Sequence, residues 1–324
     1  MKTHLLSLAL LACAATASAQ GPLTPPGGPG QTMKSLDQIE PRTVIPGGGA
    51  YVISSPGSYV LSGPIQVAAG NGISVNASRV SIDLNGFSIV STHATGDGVG
   101  VSVAAGQKNI QVFNGHIRGS SSYNEATLVF TSGGFIYGVS AGDIPGVILH
   151  DLCVEGISGR GLFANLGAVR DCQVRECGEM GIFAATVSRC SSLNINGAAI
   201  SAKIVSDCQA VSVCTASWGG AISGAESVFN SSGKADAGVG VAGITVQNCR
   251  GESMASDGIS GEVVANSSGR SSSLAGSGIR AEVVSYSRGM NQTGWPAITA
   301  TRSAIGCSVL TGTVTSPNKL LGTP

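Results

Sequence analysis

The segment GIFAATVSRC (181–190) decides the fold, because altered copies of it return five times along the chain. The other copies are AISAKIVSDC (199–208), AISGAESVFN (221–230), GVAGITVQNC (240–249), GISGEVVANS (258–267) and GIRAEVVSYS (278–287). In all six, an aliphatic residue and a closing Cys, Asn or Ser stand eight positions apart. From Leu162 to Ile298 the aliphatic position recurs every 18 to 22 residues. This period predicts a solenoid, in which each copy is one coil stacked on the last.

Each copy has the composition of short strands. Aliphatic runs such as Ile204-Val205 alternate with Gly, Ser, Asn and Asp, which are turn residues. A helical hairpin repeat needs more than about 30 residues, and a leucine-rich repeat would show a Leu-rich consensus; neither pattern is present. The chain is therefore predicted to be all-β, with roughly 11 coils. Strands of successive coils should pair in parallel, so that like positions stack in columns about 4.8 Å apart.

The first coils resemble those of a known group of proteins. The segments GSYVL (57–61), GISV (72–75) and VSIDLNGF (80–87) are similar to the opening coils of secreted bacterial proteins of the pectate-lyase-like superfamily. The Gly-Ile copies resemble the parallel β-helix repeats of that group, so the resemblance covers nearly all of residues 50–310. It implies a right-handed parallel β-helix. It implies no single function, because lyases, hydrolases, epimerases and adhesins share this coil.

Four regions are predicted along the chain. Residues 1–19 have the basic start, apolar run and closing Ala-Ser-Ala of a signal peptide, which predicts export to the periplasm, the cell surface or the medium. Residues 20–49 form a linker rich in Pro and Gly, in which Met33–Glu40 is either a short helix that caps the first coil or part of a disordered leader. The β-helix occupies 50–316, and 317–324 form a tail. No other apolar stretch is long enough to cross a membrane.

The charge composition excludes one class of partner. The formal net charge is zero and charged residues make up 11% of the chain. Because no basic surface is indicated, nucleic-acid binding by counterion release is not expected.

Eight cysteines follow the predicted signal peptide, at positions 153, 172, 177, 190, 208, 214, 249 and 307. Cys172, Cys190 and Cys208 are 18 residues apart and share one phase of the repeat. Stacked Cβ atoms about 4.8 Å apart are too distant for the roughly 3.8 Å of a disulfide, so a buried column of thiols is favoured over bridges. A zinc site is disfavoured, because no CxxC pair or His cluster accompanies them.

Two sets of charged residues also share a phase. Asp171, Arg189 and Asp207 each precede a cysteine of the thiol column, which predicts an alternating acid, base, acid ladder. The second set lies at the turn between the two strands of its coil and consists of Lys203, Glu226, Glu262 and Glu282. Glu262 and Glu282 stand on adjacent coils and form either a solvated column or a site that shares a proton or binds calcium.

One insertion concentrates aromatic residues. The segment 120–137 is surplus to the repeat and contains Tyr123, Phe130, Phe135 and Tyr137. Insertions of solenoids gather on one flank and often wall a binding groove, and aromatic rings suit the apolar faces of sugars. The insertion is predicted to be a ligand-contacting lip, unless its aromatic residues only cover its own base.

The resemblance also sets what an enzyme would need. Pectate lyases hold calcium with several Asp, and polygalacturonases use Asp pairs, a Gly-His-Gly and an Arg-x-Lys. This sequence has no Asp-Asp pair, no Gly-His-Gly and no Arg-x-Lys. The nearest fragment, around His116, lacks the second glycine. The prediction is a non-catalytic protein that binds polysaccharide or cell-surface glycan, or that serves as an adhesive or structural surface protein. It needs no metal or cofactor. The alternative is a polysaccharide lyase or glycoside hydrolase with an atypical site, for which Ca²⁺ is conceivable.

Overall fold

The computed structural model describes residues 42–213 and 219–320, and within these ranges the chain is built of strands and contains no helix. The strands are β1 (Thr43–Ile45), β2 (Tyr51–Ile53), β3 (Gly57–Leu61), β4 (Ile65–Val67), β5 (Ile73–Val75), β6 (Val80–Asp83), β7 (Ser88–Ser91), β8 (Val99–Val103), β9 (Ile110–Arg118), β10 (Ser122–Asn124), β11 (Val129–Thr131), β12 (Tyr137–Gly142), β13 (Val147–Ile157), β14 (Arg160–Arg170), β15 (Gln173–Cys177), β16 (Ile182–Ser188), β17 (Ser191–Asn194), β18 (Ile200–Ser206), β19 (Gln209–Ser212), β20 (Ile222–Phe229), β21 (Ser232–Ala235), β22 (Val241–Gln247), β23 (Arg250–Ser253), β24 (Ile259–Ala265), β25 (Ser268–Ser271), β26 (Ile279–Ser285), β27 (Arg288–Asn291), β28 (Ile298–Ile305), β29 (Ser308–Val309), β30 (Val314–Thr315) and β31 (Asn318–Leu320).

Parallel pairing joins all of these strands except β10 and β11 into three ladders. Ladder A consists of β1, β3, β6, β9, β13, β14, β16, β18, β20, β22, β24, β26, β28 and β31. Ladder B consists of β2, β5, β8, β12, β14, β16, β18, β20, β22, β24, β26, β28 and β30. Ladder C consists of β4, β7, β9, β13, β15, β17, β19, β21, β23, β25, β27 and β29. The predicted parallel β-helix is therefore confirmed.

Ladder B shows why the repeat stacks as predicted. The aliphatic position of every copy lies in register with the next, from Leu162 through Ile182 to Ile298, and these side chains are fully buried. Ladder A contributes a second inward column, which includes Val187, Val205 and their equivalents. Because side chains alternate along a strand, the residue after each inward position of ladder B faces outward, as Phe183, Ser201 and Thr299 do.

A single residue in the left-handed conformation joins ladder A to ladder C in each coil from Asn114 onward. We call these residues the corner column; their φ angles lie between 47° and 60°, and they are Asn114, Asp151, Asp171, Arg189, Asp207, Asn230, Asn248, Asn266, Tyr286 and Gly306. Asn, Asp and Gly dominate because they tolerate this conformation best. Each corner turns the chain sharply, so the next residue points into the core.

The interior narrows toward the C-terminal coils. The inward column of ladder C changes from Val154 and Val174 to glycine, at 233, 251, 269 and 289. At Gly269 a Cβ would lie 2.0 Å from the carbonyl oxygen of Gly278, which precedes the ladder B strand of the next coil. Ladders B and C therefore meet backbone to backbone in this half.

The number of coils corrects the prediction. Ladder B contains thirteen strands, whereas about 11 coils were predicted. The coils at both ends lack the Gly-Ile phrase, since the first uses Tyr51 and the last Val314 in the aliphatic position. Long loops also hide the period, because Val101 and Val139 are register partners although they are 38 residues apart.

The predicted boundaries of the β-helix also move outward. Strand β1 begins at Thr43, inside the predicted linker 20–49, because its Ile45 is buried in the core beneath β3. Strand β31 pairs with β28, so ladder A extends past 316 into the predicted tail. The signal peptide (1–19) and the capping helix (Met33–Glu40) lie outside the described residues and remain predictions. No helix in the described residues is long and apolar enough to cross a membrane.

Candidate functional site

A long surface groove follows the corner column on its ladder C side. Its second wall, which we call the wall column, consists of Gln173, Ser191, Gln209, Ser232, Arg250, Ser268, Arg288 and Ser308. The groove has two stretches of about 310 and 620 Å³, which share Asp207 and Gln209 and together run from Asp171 to Ser308. We call it the corner groove. Its position follows from the fold, because each corner bends the chain away from the strand that precedes it.

The predicted thiol column lies beneath this groove. Cys172, Cys190 and Cys208 stack on successive coils, and the backbone amide of Cys190 lies 3.5 Å from the Sγ of Cys208. Further along, the column contains both Ser and Cys, and every member donates to the carbonyl oxygen two residues before it; its remaining members are Ser231, Cys249, Ser267, Ser287 and Cys307. The seven cysteines among the described residues are free thiols, so the predicted column is confirmed; Cys214 lies outside them.

Two of these buried thiols, those of Cys190 and Cys208, have raised pKa values. Hydrogen bonding with Cys172, together with burial, raises the pKa of Cys190 to about 12. The pKa of Cys208 is also raised, first by its hydrogen bond with Cys190 and then by burial. Because the thiolate is the reactive form, a raised pKa favours a structural role for these two cysteines.

The acidic and basic ladder at the start of the groove is present as predicted. Arg189 donates two hydrogen bonds to the carboxylate of Asp171, at 2.7 and 2.8 Å. This interaction lowers the pKa of Asp171. Asp207 follows on the next coil and accepts a hydrogen bond of 3.2 Å from the Asn230 amide. The carboxylates in this part of the groove thus hold neighbouring side chains of the protein.

The middle of the groove presents side-chain amides. Asn248 donates to the side-chain oxygen of Asn230 at 3.2 Å, which continues the chain of hydrogen bonds that ends at Asp207. Within the described residues, the side chain of Asn266 makes no hydrogen bond. Its amide therefore offers both donors and an acceptor to a ligand in the groove.

Tyr286 is the unusual member of the corner column. A bulky residue with φ of 47° is strained, by about 1 to 3 kcal/mol for such conformations in general. The ring lies over Gly306 on the next coil, where a Cβ would be 2.8 Å from the Tyr286 Cδ1. The side chain is still 69% exposed. One ring face therefore rests on backbone and the rest of the ring is open to a ligand.

The predicted lip is a hairpin on a different edge of the coil. Strands β10 and β11 pair antiparallel with Tyr123 opposite Phe130, in the connection between ladders C and B. Phe130 reaches two coils onward, since a Cβ at Gly178 would be 2.7 Å from its ring. Phe135 is fully buried in the core, so it cannot contact a ligand, which corrects its assignment to the lip.

Tyr137 belongs to an aromatic cluster that the sequence analysis missed. Its ring stacks on Phe163 at 6.0 Å between centroids, and Phe163 lies 5.6 Å from Phe183. The guanidinium of Arg160, which pairs with Glu179 at 3.2 Å, lies 4.9 Å from the Phe163 centroid. The sequence did contain a signal for this cluster. Phe163 and Phe183 directly follow the inward residues Leu162 and Ile182, so both face outward. Their ring faces are occupied by one another and by Arg160, which leaves little room for a sugar to stack.

Glu262 and Glu282 lie at the bend between ladders B and A, on a third edge of the coil. Both are exposed, and Glu282 pairs with Arg302 of the next coil at 3.5 Å. No group of three or more His, Cys, Asp or Glu that could hold a metal occurs in the described residues. The structure therefore does not bring the two glutamates together with either the hairpin or the corner groove.

The carboxylate of Asp151 contacts the imidazole of His150. Asp151 lies 2.6 Å from the Nδ1 of His150, the Gln111 amide is 2.7 Å from the Nε2, and Phe113 stacks on the imidazole at 4.8 Å. His150 is only 9% exposed. Because both ring nitrogens are engaged and one ring face is covered, this pair stabilises the outer face of ladder A. His116 is an exposed strand residue, as predicted.

The fold and these columns define a parallel β-helix repeat protein. No protein-family profile matches the chain, and no curated protein matches it in sequence. Two solved structures are similar in fold. The Dettilon tailspike protein is 12% identical with a TM-score of 0.47, over 85% of this chain and 62% of that one. The enzymatically active domain of tailspike protein 2 of bacteriophage CBA120 is 17% identical with a TM-score of 0.36, over 86% of this chain and 42% of that one. The chain thus spans less than two thirds of either, and its architecture rests on its own strand register.

Proposed function

We propose that this protein is exported, binds polysaccharide without catalysis, and holds an extended glycan in the corner groove. The observation that carries the proposal is the exposed ring of Tyr286, in one column with the amides of Asn230, Asn248 and Asn266. Aromatic rings pack against the apolar faces of sugars, and amides pair with hydroxyl groups as donors and acceptors. A glycan chain needs both kinds of contact.

The shape of the groove supports a polymer as the ligand. It is open along its length and crosses eight coils from Asp171 to Ser308, whereas a site for a small molecule is a closed pocket that buries most of its ligand. The same corner conformation recurs at each coil, about 4.8 Å apart, and Asn occupies it on three successive coils. A surface with this spacing suits an extended ligand, because polar side chains follow one another along its length.

One observation supports binding without catalysis, and a second supports export. The carboxylates of the groove, Asp171 and Asp207, interact with Arg189 and Asn230, and glycosidases require two carboxyl groups facing one sugar. The composition of residues 1–19 supports export. Recovery of the chain outside the cytoplasm with Gln20 as its first residue tests the export; a protein retained inside with residues 1–19 still attached would contradict it.

Replacing Tyr286 tests the proposed groove. In the variant Tyr286→Asn the ring is lost, but the fold should be kept, because Asn occupies the same corner on three preceding coils. We expect at least roughly tenfold weaker glycan binding, which is about 1.4 kcal/mol. Isothermal titration against a panel of soluble neutral and uronate-containing polysaccharides measures it.

The matched control is Tyr123→Asn, which removes the same ring from the hairpin. Unchanged binding is expected for this variant. If Tyr123→Asn loses binding and Tyr286→Asn retains it, the ligand lies on the hairpin and the proposed groove is wrong. New reducing ends or unsaturated products during the incubations would instead establish the lyase or hydrolase alternative.

A further inference from the structure

Ladder C concentrates positive charge next to the corner groove. Over four successive coils its outward side chains include Lys234, Arg250, Arg270 and Arg288 but only one acid, Glu252. The four cations and one acid give a net charge of +3 in a chain whose total formal charge is zero. The charges of the molecule are therefore segregated, although its composition is neutral.

The acid in this patch neutralises only one of the cations. Glu252 accepts hydrogen bonds from Arg250 at 2.6 and 3.1 Å. Arg270 is its register partner on the next coil, yet within the described residues neither Arg270 nor Arg288 forms an ion pair. Both side chains are exposed. Two guanidinium groups on consecutive coils thus remain available to an outside anion.

The position of the arginines connects the patch to the groove. Arg250 and Arg288 stand in the wall column with Ser268 between them, about 10 Å apart, and both line the corner groove. They also line a neighbouring hollow of about 330 Å³, together with Arg270 and the apolar side chains of Met290 and Leu310. A glycan that lies against Tyr286 therefore passes beside Arg250 and Arg288, and Arg270 lies in the hollow on the other side of this wall.

We propose that the glycan held in the corner groove is anionic, and that its carboxylate or sulfate groups pair with Arg270 and Arg288. This inference rests on the proposed function. The planar guanidinium presents paired donors that match the oxygen atoms of either group, and it is weakly hydrated, so it pairs well beside an apolar wall. Arg250 is already paired with Glu252.

The test compares probes that share a backbone and differ in charge. Dextran sulfate is compared with dextran, and polygalacturonate with its methyl ester, by isothermal titration at low and high salt. We expect each anionic probe to bind at least tenfold more tightly than its neutral partner at low salt, with an advantage that shrinks as salt rises. The sulfate and carboxylate arms distinguish the two sources of the anion.

Substitutions of single arginines test which side chains bind the anionic groups. Arg270→Gln and Arg288→Gln should each weaken binding of the anionic probes several-fold and leave the neutral probes unchanged. Arg302→Gln removes one positive charge at the bend between ladders B and A and should change neither. Equal binding of charged and neutral probes, or equal losses in all three variants, would overturn the inference while the proposed function stands. Double-stranded DNA that binds as tightly as the anionic glycans would also overturn it. If no glycan binds, the proposed function itself fails.

Discussion

The variant Gly269→Ala is expected to lose roughly 3 kcal/mol or more of folding free energy, or to fail to fold. Its added methyl group would lie 2.0 Å from the carbonyl oxygen of Gly278 and 2.6 Å from the Cγ1 of Ile279. The carbonyl directly precedes β26 and accepts a hydrogen bond of 2.9 Å from the Ile259 amide of the preceding coil, so it cannot retreat without breaking that bond. A single methyl group should therefore separate ladders B and C.

Denaturant unfolding followed by circular dichroism measures this loss. The matched control is Gly49→Ala, where an added Cβ meets nothing within 4 Å and the φ angle is outside the left-handed region. That variant should be unchanged or slightly more stable, because alanine reduces the freedom of the unfolded chain. Equal midpoints for Gly269→Ala and the wild type would show that the interior is wider than described.

The variant Phe135→Ala is expected to cost 3 to 5 kcal/mol, in the range found for aromatic residues removed from a core. Phe135 is fully buried, and its carbonyl oxygen accepts hydrogen bonds from the amide and the hydroxyl of Ser158 on the next coil. Removing the ring would leave a cavity where the hairpin rejoins ladder B. Thermal unfolding at matched protein concentration measures the change.

Tyr123→Ala provides the comparison, because Tyr123 was predicted to share a ligand-contacting role with Phe135. On the hairpin it is partly exposed, and the expected change in stability is within about 0.5 kcal/mol. A stability loss at Tyr123 that equals the loss at Phe135 would contradict the assignment of these two residues to surface and core.

The repeat predicted the stacking well, because a period forces equivalent residues into one column. The positions from Leu162 to Ile298 became the inward column of ladder B, and Cys172, Cys190 and Cys208 became neighbours. The pairing of Asp171 with Arg189 followed from the same step of one coil. Each of these predictions needed only the count of residues between copies.

The corner groove could not be predicted in the same way. It is formed by unlike residues, Asn, Tyr and Gly, which share a backbone conformation and not a side-chain type. Its positive rim joins Arg288 of one column to Arg270 of another, and no single period connects them. The assignment of Phe135 to the lip was wrong for a different reason. Phe135 and Phe130 stand close in sequence, but only tertiary packing places Phe135 in the core and Phe130 on the hairpin.

The most direct test of the proposed function is a structure of the protein with a bound oligosaccharide. The account predicts a sugar ring stacked on the exposed face of Tyr286, with the chain continuing past Asn266 and its acidic groups beside Arg288 and Arg270. An oligosaccharide bound instead on ladder B beside Phe163 and Phe183, or against the hairpin at Tyr123, would contradict it.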